Sequence, residues 1–420
     1  MSSIYIYWDE SHLWGLLIWR ALKAFGLPHR LVRAKEISQG LLSRKPPAAL
    51  VVPGGLARRK FELLGKDGVR EIRDYVSHGG VYFGFCGGAG LGLSGRHGLG
   101  LCPWKRRAFT DRLQHAMSGH MRVRPALDSS LIPPSLGASP LLPVWWPARF
   151  ETSPEGEVNI LAAYEAPGPD FWVADIPLQS IPRGALGDLE TIYGLSIWPQ
   201  FMVDQPCLVE GGYGQGRYVL SYTHLETPAS RDANLWLAHL IRELTGLATH
   251  DGAALTPAWN LESLPRRWND ADGGQDLALA KAGLEASIRE GMEELLFFRR
   301  NSWLLGWRRG IPGASLNALY SMVCQAQSVP PCSEAREYWR EHAPQFLETL
   351  ELFRYGLTGY LLSERLAMTT SGTANTIPES VLSEQRMALF GSRMDHGGIF
   401  AELLGVMDEL LYLTLTGHGE

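Results

Sequence analysis

The sequence predicts an α/β domain built on a mostly parallel β-sheet, followed by an all-α domain. Up to about residue 250, strand-like runs alternate with amphipathic helical runs, and the connections between them are short and rich in glycine. From about residue 275 onward, apolar residues recur at helical spacing instead. A chain of 420 residues is long enough for two or three separate cores. We therefore expect an amino-terminal domain at 1–250, a linker at 251–274 and a helical domain at 275–420.

The first 85 residues carry the clearest alternation of elements. The predicted strands cover 3–8, 29–34, 48–55 and 81–85, and the predicted helices cover 12–26 and 68–80. Both helices end at glycine, which terminates helices well because it accepts a left-handed conformation. Strands that alternate with helices form parallel sheets with helices on both faces. In such sheets, ligands bind at the carboxyl ends of the strands.

Residues 120–220 change character and consist of short β-rich pieces between turns rich in proline and glycine. Segments 159–164 and 170–178 are of this kind, and we expect them to be antiparallel additions to the same domain. The run GGYGQG, at 211–216, predicts a hairpin turn before a strand at 217–222. A helix at 231–247 closes the domain.

The carboxyl-terminal region is predicted to be helical throughout. Loops between its helices are expected at 329–331 and 369–380, where proline and small polar residues accumulate. The segment 297–309 is rich in tryptophan and arginine, and its spacing favours core packing with a solvated edge over a binding site. If that face is exposed, a protein partner or self-association through the helical domain is expected.

Composition excludes several classes of function. A formal net charge of −5 and a pI of about 6.2 give no basic footprint for a nucleic-acid partner. No apolar run approaches the roughly 18 to 20 residues that span a bilayer, and acidic residues precede the first apolar stretch, so neither a membrane segment nor a cleaved secretory signal is expected. Five widely spaced cysteines, none in a C-x-x-C pair, indicate a reducing, cytoplasmic setting without a metal site or other cofactor.

The stretch GFCGGAG, at 84–90, surrounds Cys86 with residues that have almost no side chain. The structural explanation is a tight turn from strand to helix, which needs positive φ and close packing. The chemical explanation is a nucleophile elbow, which presents a thiol above the sheet and directs backbone amides and a helix N-terminus at it. Such groups would stabilise a thiolate and an oxyanion. The stretch alone leaves both explanations open.

A nucleophilic thiol needs a base, and the base needs an orienting group. His224 and Glu226 lie two residues apart at the end of a predicted strand, where extended backbone directs both side chains to the same side. Glu226 could then hold the imidazole while its other nitrogen faces Cys86. The alternative for an isolated His-x-Glu pair is a solvated strand end. The pair is predicted at the same edge of the sheet as Cys86, which favours the chemical explanation.

The motifs VVPGG, YVSHGGVYFGFCGGAG and GQGRYVLSYTHLETP, in this order, resemble the class I glutamine amidotransferase-like superfamily. Among its members, the likeness is closest to the group related to the amino-terminal domain of biotin-protein ligases, and it covers roughly residues 1–250. The resemblance implies a flavodoxin-like fold and a catalytic triad of Cys86, His224 and Glu226. It further implies an oxyanion hole formed by the amides of Gly87 and of the Gly54–Gly55 loop.

Two departures from the family limit what the resemblance implies. Members that hydrolyse glutamine usually carry a glutamine four residues after the cysteine, where this chain has Gly90. The region after residue 270 does not resemble a biotin-ligase catalytic domain, and the segment 306–313 lacks that domain's biotinyl-AMP signature. The resemblance therefore supports neither glutamine hydrolysis nor biotin transfer.

A second acidic candidate follows the first strand. Asp9 and Glu10 are expected at the same edge of the sheet, where a related branch of the superfamily places a glutamate against its cysteine. Aspartate and glutamate at this point also cap helices, and we favour that role.

Two functional hypotheses follow. The first is a cysteine-dependent hydrolase or amidotransferase-like enzyme that attacks a small-molecule or peptide amide and forms a thioester on Cys86. The second is a binding or scaffold module that retains the amidotransferase fold without turnover.

Overall fold

We describe the fold from a computed structural model, in which residues 3–107, 117–126, 128–194, 197–249, 255–308, 313–372, 377–392 and 396–417 are described. The chain divides into two compact units, Met1–Ala258 and Trp259–Glu420.

The first unit contains thirteen described strands and seven described helices. The strands are β1 (Ile4–Tyr7), β2 (His29–Val32), β3 (Ala49–Val52), β4 (Val81–Phe85), β5 (Lys105–Arg106), β6 (Met117–Pro125), β7 (Leu141–Trp145), β8 (Phe150–Glu151), β9 (Val158–Pro167), β10 (Trp172–Val173), β11 (Ile176–Pro177), β12 (Pro206–Tyr213) and β13 (Gly216–Ser221). The helices are α1 (His12–Ala24), α2 (Ala34–Ser38), α3 (Leu41–Arg44), α4 (Ala57–Ser77), α5 (Gly87–Gly92), α6 (Arg183–Tyr193) and α7 (Arg231–Thr245).

One mixed sheet organises this unit. Its order is β11–β10–β6–β9–β12–β13–β4–β3–β1–β2, and β7 pairs with β6. The central strands β13, β4, β3, β1 and β2 run parallel. On the other side of β13, every pair is antiparallel, as the sequence predicts for residues 120–220. The GGYGQG run forms the predicted hairpin turn between β12 and β13.

Side chains from both faces of the parallel strands are buried, which explains their continuous apolar sequences. Tyr5, Tyr7 and Tyr82 belong to the core on one face, together with residues of α2, α3, α4 and α5. Ile4 and Ile6 alternate with the first two tyrosines and are fully buried as well.

Two predicted elements of this unit differ from the observed ones, and two observed helices, α2 and α3, were not predicted. Helix α4 begins at Ala57 rather than at residue 68, and it contains a kink at Gly65, whose φ is +58°. The predicted strand 170–178 is a hairpin of two short strands, because Ala174 has a φ of +53° and turns the chain between β10 and β11. The short helices α2 and α3 have too few residues to show a helical period.

The second unit is mainly helical but not all-α. Its elements are α8 (Gly274–Glu293), β14 (Phe297–Arg299), β15 (Leu305–Trp307), α9 (Gly313–Ser328), α10 (Ser333–Thr369), α11 (Glu379–Phe390) and α12 (Gly398–Thr416). The predicted loops 329–331 and 369–380 separate helices, although residues 373–376 lie outside the described part of the chain.

The prediction of a helical segment at 297–309 is wrong, because β14 and β15 form an antiparallel hairpin there. Asn301 makes the turn, since its side-chain oxygen accepts hydrogen bonds from the backbone N–H groups of Trp303 and Leu304. Phe297 and Trp303 are buried. Aromatic residues of this segment therefore pack in the core as expected, although the segment is a hairpin and not a helix.

The second half of the predicted linker belongs to the second unit. Trp259, Leu261 and Trp268 are almost completely buried, and Trp268 donates its indole N–H to the Ala326 carbonyl. Among the described residues, no helix is both long and apolar enough to cross a membrane.

Candidate functional site

Cys86 lies at the carboxyl edge of the parallel strands, directly after β4. Its φ of +49° and ψ of −105° are unusual for a residue with a side chain, and the backbone turns sharply there into α5. The Cys86 amide donates a hydrogen bond of 2.7 Å to the carbonyl of Ser221, the last residue of β13. Cys86 is partly exposed. Strained backbone of this kind is typical of functional positions.

The glycines next to Cys86 let three backbone segments approach one another. A Cβ atom on Gly87 would lie 2.0 Å from the Gly55 carbonyl oxygen, and one on Gly88 would lie 1.8 Å from the Val52 carbonyl oxygen. Gly55 itself has a φ of +109°. The three glycines of the predicted oxyanion hole, Gly54, Gly55 and Gly87, are therefore brought together at the edge where Cys86 lies.

Gly90 has no comparable constraint. A Cβ atom there would make an ordinary contact of 3.7 Å with the Ala57 side chain. Packing therefore does not require glycine at this position.

His224 and Glu226 are brought together beside the same edge, but not by the extended backbone that the sequence predicts. Strand β13 ends at Ser221, and the pair lies in a turn in which the Thr227 amide donates to the His224 carbonyl over 3.1 Å. Within this turn, His224 Nδ1 and Glu226 Oε1 are 2.7 Å apart, and both side chains are completely buried. The carboxylate thus orients the imidazole and leaves Nε2 for another group.

Cys86 acts on this imidazole electrostatically. Burial by itself lowers the pKa of His224, but the Glu226 carboxylate, together with hydrogen bonding and charge from Cys86, outweighs burial and raises this pKa to about 10. His224 Nε2 makes no hydrogen bond of ordinary geometry to the described protein. His224 and Glu226 therefore form a buried pair on which Cys86 acts electrostatically, and we refer to the three residues together as the cluster around Cys86.

Sequence reasoning missed the aromatic residues that surround the imidazole. The Trp14 ring lies over the His224 ring with 4.6 Å between centroids, and Trp146 meets Trp14 edge-on at 6.0 Å. Trp146 has a φ of +55°. Neither tryptophan has a local sequence signal, because each reaches the site only through the tertiary fold.

Sequence reasoning also missed the residue that holds the turn. Asn234, on α7, is completely buried and donates to the carbonyls of Leu225 and Thr227 over 2.8 and 3.0 Å. Its side-chain oxygen accepts from the Thr256 amide. A buried amide on the apolar side of an amphipathic helix is a signal that could have identified it, since buried polar groups need partners.

Asp9 has the capping role that the sequence favours, although it caps a helix further along the chain. Its Oδ2 accepts a hydrogen bond of 2.6 Å from the Ala34 amide at the start of α2. Burial raises the pKa of Asp9, and this hydrogen bond opposes the shift. Glu10 contacts the glycine loop through its backbone, since a Cβ atom on Gly55 would lie 1.9 Å from the Glu10 carbonyl oxygen.

A buried lysine fixes the chain beneath this loop. Lys60 is fully buried, its Nζ donates to the Asp9 carbonyl over 2.8 Å and to the Ser11 hydroxyl, and it lies 5.1 Å from the centre of the Tyr7 ring. The charge is thus paired with oxygen atoms and an aromatic face. Lys60 holds the segment on which Gly55 packs.

A cavity of about 780 Å³ lies elsewhere, along α4. Its lining includes Lys66, Arg70, Arg73 and Arg96 but no residue of the cluster around Cys86. Among the described residues, no group of three or more histidine, cysteine, aspartate or glutamate side chains could hold a metal ion. All five cysteines are free thiols.

Comparison with known families agrees with part of the resemblance seen in the sequence. The family model described as biotin-protein ligase, N terminal, matches residues 32–95. The match includes the Gly54–Gly55 loop and Cys86 but not His224 or Glu226. It supports a likeness to the biotin-protein ligase amino-terminal group. No curated protein matches the chain.

Several solved structures resemble part of this chain weakly. A putative GMP synthase component from Thermoplasma acidophilum has 13% identity and a TM-score of 0.38, over 59% of this chain and 96% of that chain. A cytoplasmic protein from Salmonella typhimurium has 12% identity and a TM-score of 0.35, over 59% of this chain and all of that one. A cold-adapted β-galactosidase from Rahnella has 13% identity and a TM-score of 0.35, over 59% of this chain but only 32% of its own. Likenesses at these scores carry no argument about activity.

Proposed function

We propose that the first unit is a cysteine-dependent amide or acyl hydrolase, or an amidotransferase-like enzyme, of the class I glutamine amidotransferase-like type. The turn at Cys86 is then a nucleophile elbow, and Cys86, His224 and Glu226 are the triad. One observation carries the proposal: His224 is a buried imidazole whose Nδ1 is held by Glu226 and whose pKa is raised by Glu226 and Cys86. Nucleophile, base and orienting carboxylate are the parts that nucleophilic catalysis requires.

The proposed reaction runs in two steps. The Cys86 thiolate attacks the acyl carbon of an amide, and the C–N bond breaks as the His224 imidazolium gives its proton to the leaving amine. A thioester remains on Cys86. Neutral His224 then takes a proton from water as the water oxygen attacks the thioester carbon, the C–S bond breaks, and the acid leaves. An amine in place of water gives acyl transfer.

Backbone amides would stabilise the oxyanion in each step. Gly87 and Gly55 pack backbone to backbone at the turn that carries Cys86, and their N–H groups are the proposed donors, together with that of Gly54. Any side chain on Gly87 or Gly55 would collide with backbone. A substrate carbonyl can approach because these positions carry no side chain.

Gly90 bears on the substrate class. Glutamine-hydrolysing relatives place a substrate-binding glutamine at this position, and packing leaves room here for a side chain that the chain does not have. We therefore propose an amide or acyl substrate other than free glutamine.

Thiol labelling tests the reactive cysteine. Cys332 is the matched control, because it is partly exposed like Cys86 and is also a free thiol. We expect iodoacetamide near pH 6 to alkylate Cys86 on the order of tenfold faster than Cys332, since a nearby imidazolium stabilises the thiolate. His224→Gln should slow labelling at Cys86 and leave Cys332 unchanged, whereas His78→Gln, at an exposed histidine, should change neither. Peptide mass spectrometry reads each site.

Acylation tests the function itself. With p-nitrophenyl acetate we expect a burst of nitrophenol and a hydroxylamine-sensitive acetyl group on Cys86, which Cys86→Ser abolishes and His224→Gln greatly reduces. A fast-labelling thiol that never acylates would support the scaffold hypothesis instead. Labelling of Cys86 no faster than that of Cys332 would overturn the proposed triad.

A further inference from the structure

The outward face of α10 is apolar over two heptads. Leu352, Tyr355, Leu362 and Leu366 are 60%, 84%, 50% and 51% exposed, and Gly359 completes the row, with open space around its Cα. Between 352 and 366 these are the only exposed positions of the helix. Isolated exposed leucines are ordinary, but a continuous apolar row on a surface helix marks an interaction site.

The spacing of this row is that of a coiled-coil seam. Steps of three, four, three and four residues lead from Leu352 through Tyr355, Gly359 and Leu362 to Leu366, which is the a/d pattern of a heptad repeat. A helix that packs only within its own unit has no need for such a row on its solvent face.

The neighbouring helices of the same unit flank this row without covering it. On one side, Thr358 donates to Glu290 of α8 over 2.8 Å. On the other side, Ser363 accepts a hydrogen bond from Gln385 of α11. The row therefore remains open to another molecule.

We propose that a second copy of this chain covers the row, through an antiparallel pairing of the two α10 helices about a twofold axis near Thr358. In this register, Leu352 packs on the partner's Leu362, and the large Tyr355 packs on the partner's Gly359, where no side chain occupies the space. Four members of the row are therefore complementary to one another in shape, as a twofold interface requires, and Leu366 meets the partner at position 348, which lies outside the row.

Charge selects the same register. The positions that flank an antiparallel seam place Glu351 opposite the partner's Arg365, and this pair occurs twice across the axis. Glu351 is 72% exposed, so it is open to a second partner besides Arg354, which lies 2.6 Å away. A parallel pairing would instead put Tyr355 against the partner's Tyr355 and leave Glu351 opposite a glycine.

The row spans about 21 Å, at 1.5 Å per residue. A single helix pair of this length buries less than the roughly 1,600 Å² of a standard interface. We therefore expect a dissociation constant in the micromolar range, which sedimentation velocity of the full chain over a concentration series measures.

Leu362→Asp tests the surface, and Leu279→Asp is its matched control, because Leu279 is a similarly exposed leucine on α8 of the same unit. We expect the first variant to raise the dimer dissociation constant by at least about tenfold and the second to leave it unchanged. Both should keep the parent's circular dichroism spectrum. A parent chain that stays monomeric throughout the series, or a dimer that survives Leu362→Asp, would overturn the proposal.

A charge exchange tests the register. Glu351→Arg and Arg365→Glu should each weaken self-association about tenfold, because like charges then face each other twice. An equimolar mixture of the two variants, and the double variant alone, should recover the parent's affinity. A parallel pairing predicts no recovery in either case. The result is independent of the proposed catalytic function, because no residue near Cys86 is changed.

Discussion

His224 is an unusual residue because it is completely buried and yet favours its protonated form. Burial disfavours the imidazolium, but the Glu226 carboxylate and the Cys86 sulfur together outweigh burial and raise the pKa to about 10. An imidazolium beside a thiol at neutral pH is the form that supports a thiolate nucleophile.

The raised pKa makes a prediction about stability. The folded state holds a proton on His224 that the unfolded state, with a pKa of about 6.5, has lost. The resulting stabilisation is complete below about pH 6.5 and is lost as the pH rises through about 10. We expect the urea midpoint to fall more steeply across this range for the parent than for His224→Gln. His78→Gln, at an exposed histidine, should follow the parent. If the urea midpoint changes with pH in the same way for all three proteins, the raised pKa of His224 is contradicted.

The residues of the site were predictable from sequence to different degrees. Cys86, His224 and Glu226 stand out in the sequence because each belongs to a short motif at the end of a predicted strand, and their role as a triad stays a prediction. The extended backbone predicted for the His-x-Glu pair is wrong, because the pair lies in a turn. Trp14 and Asn234 could not be identified, because what they contact is decided by packing between elements far apart in the sequence.

The turn between β4 and α5 shows which glycines are structural. Gly87 and Gly88 face carbonyl oxygens of the β3 segment at distances that exclude a Cβ atom, whereas Gly90 does not. Close packing of backbone and presentation of a thiol are therefore compatible explanations of the same stretch. The two explanations that the sequence left open do not exclude each other.

Alanine substitutions separate these glycines. We expect Gly88→Ala to lower the free energy of unfolding by about 1–3 kcal/mol or more, because its Cβ must displace the Val52 carbonyl. Gly90→Ala should be neutral or stabilising by up to about 1 kcal/mol, because alanine favours helix. Urea unfolding measures both. Equal effects at the two positions would show that the close approach is not a constraint.

Helices and strands were predictable where a hydrophobic pattern extends over many residues or where glycine or a turn marks the ends of the element. The boundaries of β4 agree because VYFGF is bounded by glycine and by the turn at Cys86. The sequence of the β14–β15 hairpin predicts helix because its aromatic residues fit the helical period as well as the alternation of a strand. The feature that distinguishes the two is the turn made by the Asn301 side chain.

At the scale of the whole molecule, the sheet, the cluster around Cys86 and their supporting residues all belong to the first unit. The boundary between the units differs from the predicted linker because Trp259, Leu261 and Trp268 are buried by tertiary contacts, while their local sequence is rich in proline and asparagine and has no period.

The first unit contains every residue of the proposed site, which predicts that it folds and reacts at Cys86 without the second unit. We expect a chain truncated after Ala258 to fold cooperatively and to label at Cys86 at the rate of the full chain, since every residue assigned to the cluster is retained. Circular dichroism and alkylation kinetics test this. A truncated chain that is unfolded, or that labels at Cys86 as slowly as the His224→Gln variant, would show that the second unit is needed to build the site.

The position of β13 has a consequence for how the protein matures. His224 follows Cys86 by 138 positions, and it comes to the same edge of the sheet only when β13 inserts between β12 and β4. Closing so long a loop is slow compared with forming local structure. During synthesis Cys86 therefore emerges well before His224, and the proposed site cannot form until the middle of the sheet is assembled.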